Sequence, residues 1–158
     1  MKPSSEPAEA VDAAIAAANV LMGVAARSVQ RVEDEVNSLQ LRVLMLIELD
    51  GPQSPGAIAT ELGVHPSNAT RTCDKLVQAD LISRAEDPQD RRFIRLELTR
   101  RGTALVEKVI ADRREALAGI LRELSAAQLD QVVLGLQVFA EAAGAEPARD
   151  GRFTLGSR

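Results

Sequence analysis

The feature that most constrains the fold of this chain is a change of hydrophobic period partway along it. Up to about residue 78, and again after residue 102, apolar residues recur every three or four positions, which is the spacing of one face of an α-helix. Between these stretches, Ile94, Leu96 and Leu98 recur at every second position, as they would in a strand with one buried face. The sequence therefore predicts a mainly α-helical protein with a small β-hairpin.

The composition supports a core of packed helices. The 158 residues include no Trp, no Tyr and three Phe, so Ala, Leu, Val and Ile must form the core. A chain of this length is expected to form a single domain, which we place at residues 1–143. Residues 144–158 show no periodicity and are predicted to form a loose C-terminal tail.

Six helices are predicted from apolar spacing and from residues that favour helix starts. The first spans about residues 8–33 and carries apolar residues that step alternately by four and three positions: Val11, Ile15, Ala18, Met22, Ala25, Val29 and Val32. The second to sixth helices are expected to open at Ser38, Ser54, Pro66, Thr99 and Ser125. The first helix cannot bury so long a stripe alone, which indicates that it packs on another helix.

The hairpin is predicted to lie between the fourth and fifth helices. Residues 93–98 form its regular strand, and residues 81–83 are expected to form a shorter partner strand. Residues 86–91 would then be the connecting turn, since Pro88 and two aspartates favour turns.

The order of elements in residues 51–101 is typical of a DNA-binding protein. A short helix, a turn at Gly63 and a second helix with small polar and basic side chains match the layout by which one helix enters the DNA major groove. An arginine-tipped hairpin beside such a helix can reach the neighbouring minor groove. The chain has a net charge of −4, but residues 66–101 hold eight Lys or Arg against six Asp or Glu. Phosphate contacts depend on the local surface, so this local excess favours DNA binding.

The stretch PGAIATELGVHPSNATRTCDKLVQADLISRAEDPQDRRFIRLELTRRG resembles the MarR family of winged helix-turn-helix regulators. Its most specific part is the wing, DPQDRRFIRLELTRRG, which is similar to that family's Asp-x-Arg followed by a strand and Leu-Thr-x-x-G. The resemblance covers about residues 10–143. It implies a winged helix-turn-helix at about residues 51–101, between dimerisation helices at about residues 10–50 and 102–143.

The resemblance also implies a homodimeric transcriptional regulator, most often a repressor, that binds pseudo-palindromic double-stranded DNA. Members of the family are often released from DNA by a small aromatic or anionic ligand. Together with the charge pattern, the resemblance assigns DNA contact to Ser67, Asn68, Thr70, Arg71, Lys75, Arg84, Asp90, Arg91, Arg92 and Arg95. It further implies a ligand pocket between the first two helices and the DNA-binding part, for which Met22, Arg42 and Leu44 are candidates.

Several side chains in this region have two interpretations. Asp90 would repel phosphate by itself, so it is predicted to hold the Arg92 guanidinium in a planar two-point hydrogen bond, while also favouring the turn. Arg91 and Arg92 could instead lie in a solvated turn. Cys73 could sense oxidants, but its spacing from apolar neighbours favours a packed position on the buried side of the fourth helix. His65 is interpreted as a helix-entry residue.

Other classes of function are disfavoured. No nucleophile with a base, pair of acids or glycine-rich phosphate loop occurs at useful spacing, so neither catalysis nor a metal or cofactor is expected. No apolar run approaches the roughly 20 residues of a membrane span, and the N-terminus lacks the pattern of a secretory signal, so a cytoplasmic protein is expected. The competing interpretation is a winged-helix module that binds another protein and has no sequence-specific DNA binding.

Overall fold

The computed structural model describes residues 7–87, 90 and 94–144. In these residues six helices and two strands follow one another in the predicted order. Their bounds are α1 Pro7–Gln30, α2 Ser38–Asp50, α3 Pro55–Leu62, α4 Pro66–Gln78, β1 Ile82–Glu86, β2 Ile94–Leu98, α5 Arg100–Leu121 and α6 Ala126–Ala142. The predicted fold class, mainly α-helical with a β-hairpin wing, is confirmed. The predicted tail begins at the last described residue and otherwise lies outside the described part.

The starts of the helices follow from hydrogen bonds at capping side chains. The predicted serine and threonine caps of α3, α5 and α6 are confirmed, and each hydroxyl accepts a backbone N–H of the first turn. The predicted cap of α2 was wrong by one residue, since Asn37 rather than Ser38 caps it. Asn37 Oδ1 accepts from Gln40 N at 2.9 Å, and Gln40 Oε1 accepts from Asn37 N at 2.8 Å. These two bonds satisfy the backbone N–H groups of Asn37 and Gln40 reciprocally, which is a capping box.

α1 is shorter than its apolar pattern predicts, because it ends at Gln30 rather than at residue 33. The chain then passes through turns in which Val32 N donates to Val29 O at 3.0 Å and Val36 N donates to Val32 O at 2.9 Å. Val32 and Val36 are both buried in the core. The apolar spacing thus continues into a turn that also packs on the core, and spacing alone could not show where the helix stops.

The hairpin is an antiparallel pair whose register runs from Ile82 opposite Leu98 to Glu86 opposite Ile94. β1 therefore begins one residue later and ends three residues later than predicted, and Glu86 belongs to the strand rather than to the turn. Gln53 adds a bridge on the other side of β2, where its N–H donates to Leu96 O at 3.1 Å and its carbonyl accepts from Leu96 N at 2.8 Å. Leu96 is buried, whereas Ile94 is 48% exposed. The predicted buried face of β2 is thus wrong at Ile94, where the hairpin extends beyond the body of the protein.

The core lies between α2, α3, α4, the base of the hairpin and the first part of α5, which together we call the winged lobe. Leu44, Ile58, Leu76, Leu81 and Val106 are among its fully buried side chains. All but one of the apolar residues of the core cluster, Val32, lie in residues 36–109. Because this core is continuous within one chain, the winged lobe does not need a partner to bury it.

A tight joint fixes the hairpin and the end of α4 to the start of α5. Thr99 N donates to Leu81 O at 3.1 Å, Thr99 Oγ1 donates to Asp80 O at 2.6 Å, and Arg101 Nη1 donates to Ala79 O at 2.9 Å. A Cβ at Gly102 would overlap the carbonyl oxygen of Leu81 and lie 3.0 Å from its carbonyl carbon. Only glycine therefore allows the first turn of α5 to approach the backbone this closely.

The terminal helices bury little within the chain. Among the 24 residues of α1 only Val24 and Ser28 are buried, and α6 has no buried residue. α6 also makes no substantial contact with any other described helix or strand. The large apolar residues exposed on these two helices are Val11, Ile15, Val20, Leu21, Met22, Val133, Leu134, Leu136, Val138 and Phe139.

One finding departs from the expectation that no segment approaches a membrane span. By length and composition α1 is long and apolar enough to cross a membrane, with a mean hydropathy of 1.5 over its most apolar window. The expectation failed because nine alanines raise the mean hydropathy of α1, whose longer apolar side chains are spaced along the helix. Helices that pack in protein cores meet the same criterion, so the finding is weak evidence for a membrane helix.

Candidate nucleic-acid interface

The angle between α3 and α4 is set by the turn at Gly63. Gly63 has a left-handed conformation, with φ 63° and ψ 35°, which glycine adopts at little cost. Gly63 N donates to Thr60 O at 3.2 Å, and Val64 N donates to Ala59 O at 3.0 Å, so the last carbonyls of α3 are satisfied. His65 then caps α4, and Pro66 occupies its first turn. The interpretation of His65 as a helix-entry residue is confirmed.

α4 divides into a buried side and an exposed side, as its sequence predicts. Ala69, Thr72, Cys73 and Leu76 are buried against the winged lobe. The candidate DNA-contacting residues of this helix are all exposed: Ser67, Asn68, Thr70, Arg71 and Lys75. Because α4 makes 3.6 residues per turn, these five positions fall within about half of its circumference. The structure therefore brings them onto one solvent-facing surface.

Two of the arginines assigned to DNA contact are engaged with aspartates. Arg84 on β1 forms an ion pair with Asp74 on α4, which ties the hairpin to that helix. Arg95 on β2 forms an ion pair with Asp87, which follows β1. Sequence reasoning missed both aspartates, although each lies within ten residues of its arginine and carries the opposite charge. The pairs restrain where the guanidinium groups point.

The predicted pairing of Asp90 with Arg92 remains a prediction, because Arg91 and Arg92 lie outside the described residues. The backbone N–H of Asp90 donates to Asp87 Oδ1 at 3.4 Å. Asp87 thus contacts both Arg95 and the backbone of the turn. Among the described residues of the wing, Asp87 therefore links a strand side chain to the backbone of the turn.

Cys73 lies in the core of the winged lobe, with 1% of its surface exposed. Burial, together with the neighbouring Asp74 carboxylate, raises the pKa of the Cys73 thiol to about 11. The thiolate is the reactive form of cysteine, so a buried thiol with a raised pKa reacts poorly. The predicted packed position of Cys73 is confirmed.

A cavity of about 360 Å³ lies between α1, α2 and α5. Of the three candidate ligand-binding residues, Met22 and Arg42 line this cavity and Leu44 does not. Leu44 is 0% exposed and packs in the core, because successive residues of a helix point about 100° apart and its neighbour Met45 faces the cavity instead.

Sequence reasoning also missed Arg113, the second arginine of the cavity wall. Its Nε donates to Ser28 Oγ at 2.8 Å, and burial lowers the pKa of its guanidinium. Arg113 stands four residues from both Val109 and Leu117, within the apolar stripe of α5. A cation in an apolar stripe is the signal that could have identified it. Its neighbour Asp112 forms an ion pair with Arg31 at 2.7 Å.

Residues 36–94 match the sequence model described as the MarR family. The chain belongs to the MarR family. It is 30% identical over 95 residues to the uncharacterised HTH-type transcriptional regulator YhbI of Bacillus subtilis, covering 60% of this chain and 62% of that protein. It is 35% identical over 96 residues to the HTH-type transcriptional repressor MdtR of the same organism, covering 61% of this chain and 62% of MdtR. The match thus spans less than two thirds of either relative.

A solved structure shows the same architecture over a longer stretch. RV1404 from Mycobacterium tuberculosis superimposes with a TM-score of 0.75 at 34% identity, covering 92% of this chain and 100% of that one. Among the described residues, no group of three or more His, Cys, Asp or Glu is arranged to hold a metal ion.

Proposed function

We propose that this MarR-family protein is a homodimeric, non-catalytic transcriptional repressor that acts in the cytoplasm and binds a pseudo-palindromic operator. The observation that carries the proposal is the exposed side of α4, where small polar and basic side chains share one surface. The opposite side of α4 is buried in the winged lobe. A helix held in this way can enter the major groove without any rearrangement of the core.

The wing supplies a second set of DNA contacts in this proposal. Arg91 and Arg92 reach the minor groove, where the negative potential favours arginine. Arg84 and Arg95 contribute phosphate contacts from the base of the wing, using guanidinium groups that Asp74 and Asp87 already restrain. Restraint before binding lowers the ordering cost of a long side chain.

The terminal helices support the proposed homodimer. The apolar residues exposed on α1 and α6 would form an unusually large apolar surface on a monomer. A second copy of the chain would cover them with the same surface, since two-fold interfaces are self-complementary. The two copies of α4 would then lie on one side of the dimer and read two half-sites.

Ligand control in this proposal acts through the cavity between α1, α2 and α5. Its described lining carries two guanidinium groups, those of Arg42 and Arg113, and no carboxylate. The other side chains of the lining are apolar except Ser38. A small anion with an apolar group fits such a cavity, because an arginine can bind its charge while the apolar group displaces water from the apolar wall. Binding between helices of the dimer region would shift the spacing of the two winged lobes.

The repressor role is supported by the named function of a relative. MdtR is a transcriptional repressor and shares 35% of the aligned residues with this chain. A dimer that covers its operator can block transcription without further chemistry.

DNA binding is tested by measuring the affinity of the purified protein for a duplex that it selects from a randomised pool, at about 50 and 200 mM salt. We expect Arg71→Ala to weaken binding by about 1 to 3 kcal/mol if Arg71 reads a base edge. The matched control is Arg122→Ala, which removes the same charge at the far end of α5 and should bind as wild type.

The two salt concentrations separate the two kinds of contact. If Arg71 contacts only phosphate, its loss should weaken all sequences equally and lower the log–log salt slope by about one unit. A wild-type protein that selects no duplex would contradict the proposal. The winged lobe would then be a protein-interaction module, and its exposed arginines would serve another partner.

A further inference from the structure

The hydroxyl of Thr70 is bonded to the backbone of its own helix. Thr70 Oγ1 donates to Pro66 O, one turn earlier in α4, at 3.0 Å. A carbonyl oxygen can only accept, so the hydrogen of this hydroxyl must point at Pro66 O. The same bond selects one of the χ1 rotamers that a helical threonine can adopt, and it thereby fixes the position of the threonine methyl group.

Thr70 lies on the exposed side of α4, although its oxygen is bonded to the helix. It is the fifth residue of α4, and in helix-turn-helix proteins the N-terminal residues of the second helix contact base edges. Among the exposed residues of α4, a helix that the structure describes in full, Thr70 is the one with a methyl group. Apart from Pro66, the others end in polar or charged groups: Ser67, Asn68, Arg71, Lys75 and Gln78.

A threonine can recognise a base through its hydroxyl or through its methyl group. Donation from the Thr70 hydroxyl to a base would first break the bond to Pro66 O, so one hydrogen bond would replace another with little net gain. A base that donates to Oγ1 would have to approach the backbone carbonyl that this oxygen already contacts. Contact through the methyl group breaks no bond, and burial of one such group raises affinity by about fourfold.

We propose that Thr70 recognises the C5-methyl group of thymine through its own methyl group, and that it sets the preference for one T·A base pair in each half-site. The inference rests on the proposed binding of DNA through α4. Neighbouring polar and basic side chains such as Ser67 and Arg71 bind other base edges or phosphates, whereas Thr70 supplies the apolar contact in the major groove.

The test replaces each thymine, one at a time, by deoxyuridine in a duplex that the protein selects from a randomised pool. Deoxyuridine keeps the pairing with adenine and the O4 acceptor but lacks the C5-methyl group, so the scan removes that group alone. Thr70→Ser keeps the hydroxyl and loses the methyl group, whereas Thr70→Val keeps a methyl group and the branched shape but loses the hydroxyl. Serine, threonine and valine have similar helix propensities, so α4 should form in both variants.

Thr60→Ser is the matched control, because Thr60 has the same local structure on another helix. Thr60 Oγ1 donates to Gly56 O at 3.1 Å, and Thr60 is exposed on α3. The control therefore removes the same methyl group from a threonine that is bonded to its own helix in the same way, outside α4.

For wild type we expect deoxyuridine at one thymine position of each half-site to weaken binding by about fourfold. Thr70→Val and Thr60→Ser should show the same loss at that position, whereas Thr70→Ser should bind the thymine and deoxyuridine duplexes equally there. The inference is wrong if no thymine is sensitive in wild type, if Thr70→Ser keeps every effect, or if Thr70→Val loses the effect as fully as Thr70→Ser. Each of these results leaves DNA binding intact, whereas a wild-type protein that selects no duplex would contradict the proposed function itself.

Discussion

α4 and α6 are helices of 13 and 17 residues that differ in the burial of their apolar side chains. α4 is mostly polar; three of its apolar residues, Ala69, Cys73 and Leu76, are at least 99% buried, and Val77 is partly buried. α6 is far more apolar, and Leu136 and Phe139 are 53% and 62% exposed. Apolar content therefore does not decide which of the two helices is part of the core of a single chain.

The difference indicates that, in the proposed homodimer, apolar residues of this sequence pack in two ways, within one chain in the winged lobe and between chains at α6. The winged lobe closes its core within the chain, with capped helices and the joint at Gly102. α6 makes no substantial contact with other described elements, so its exposed apolar residues gain little from folding of the single chain. Burial of one large apolar side chain is worth about 1.5 to 3 kcal/mol, which is available to α6 only through association. Substitutions in α6 should therefore change the dimerisation constant, whereas substitutions in the winged lobe should change the free energy of unfolding.

The largest effect is expected from charge placed on the apolar side of α6. In Leu136→Glu/Phe139→Glu, four apolar side chains per dimer are lost, which should weaken association by about 4 kcal/mol or more, or about a thousandfold. Sedimentation equilibrium measures this constant. The matched control is Gln137→Glu, which adds a charge on the polar side of α6 beside Asp130 and Glu141, and should dimerise as wild type.

Either of two results would contradict the assignment of α6 to a dimer interface. If wild type is monomeric at micromolar concentration, the exposed apolar faces have another role. If the double variant dimerises as tightly as wild type, α6 is not in the interface. The helical content of the double variant should stay close to that of wild type apart from α6, since the winged lobe does not depend on that helix.

The next effect concerns the winged lobe. In Gly102→Ala the new Cβ meets the backbone at Leu81, so α5 must move away from the hairpin and the joint must open. We expect a loss of about 3 kcal/mol or more in the free energy of unfolding, measured by urea denaturation at a fixed protein concentration.

Gly119→Ala is the matched control for this change, because it makes the same substitution in the same helix. A Cβ at Gly119 has no atom within 4 Å in the described chain. The control should be neutral or more stable by up to about 1 kcal/mol, since alanine favours helix more than glycine does. Equal stability of the Gly102→Ala variant and wild type would show that the joint is not tight.

Features that depend on local spacing could be predicted from the sequence. The two sides of α4 follow from the helical period, and the caps of α3, α5 and α6 follow from hydroxyl side chains at helix starts. The error at α2 has the same local origin, because Asn37 and Ser38 are both good caps and only the bond to Gln40 distinguishes them. The order of the elements was predicted because the period changes from helix to strand and back.

Features that depend on distant residues could not be predicted in the same way. The cavity requires three helices at fixed angles, so the sequence could not distinguish Leu44 from Met45 or place Arg113 at the wall. The pairing of Arg84 with Asp74 depends on how the hairpin meets α4. The extent of β1 depends on its ladder with β2, and the alternation of a single strand does not show where its partner ends.

The smallest effect expected here also belongs to the winged lobe and concerns its buried thiol. The ordinary pKa of the thiol is 9.0, and burial raises the pKa of Cys73 to about 11 in the folded protein. Below pH 9 the thiol is protonated in both the folded and the unfolded chain, so it has no effect on the pH dependence of stability. Between pH 9 and 11 the thiol of the unfolded chain loses its proton first, which favours unfolding.

The free energy of unfolding of wild type should therefore fall by about 2 to 3 kcal/mol over this range relative to Cys73→Ala, which has no thiol to titrate. Urea denaturation at several pH values measures the difference between the two proteins. The chain contains no tyrosine that would titrate in the same range, and the lysines are common to both proteins. If the free energy of unfolding of the two proteins changes with pH in the same way, Cys73 is not held in the core. The contrast between the buried core of the winged lobe and the exposed apolar residues of α6 would then be weaker than the structure indicates.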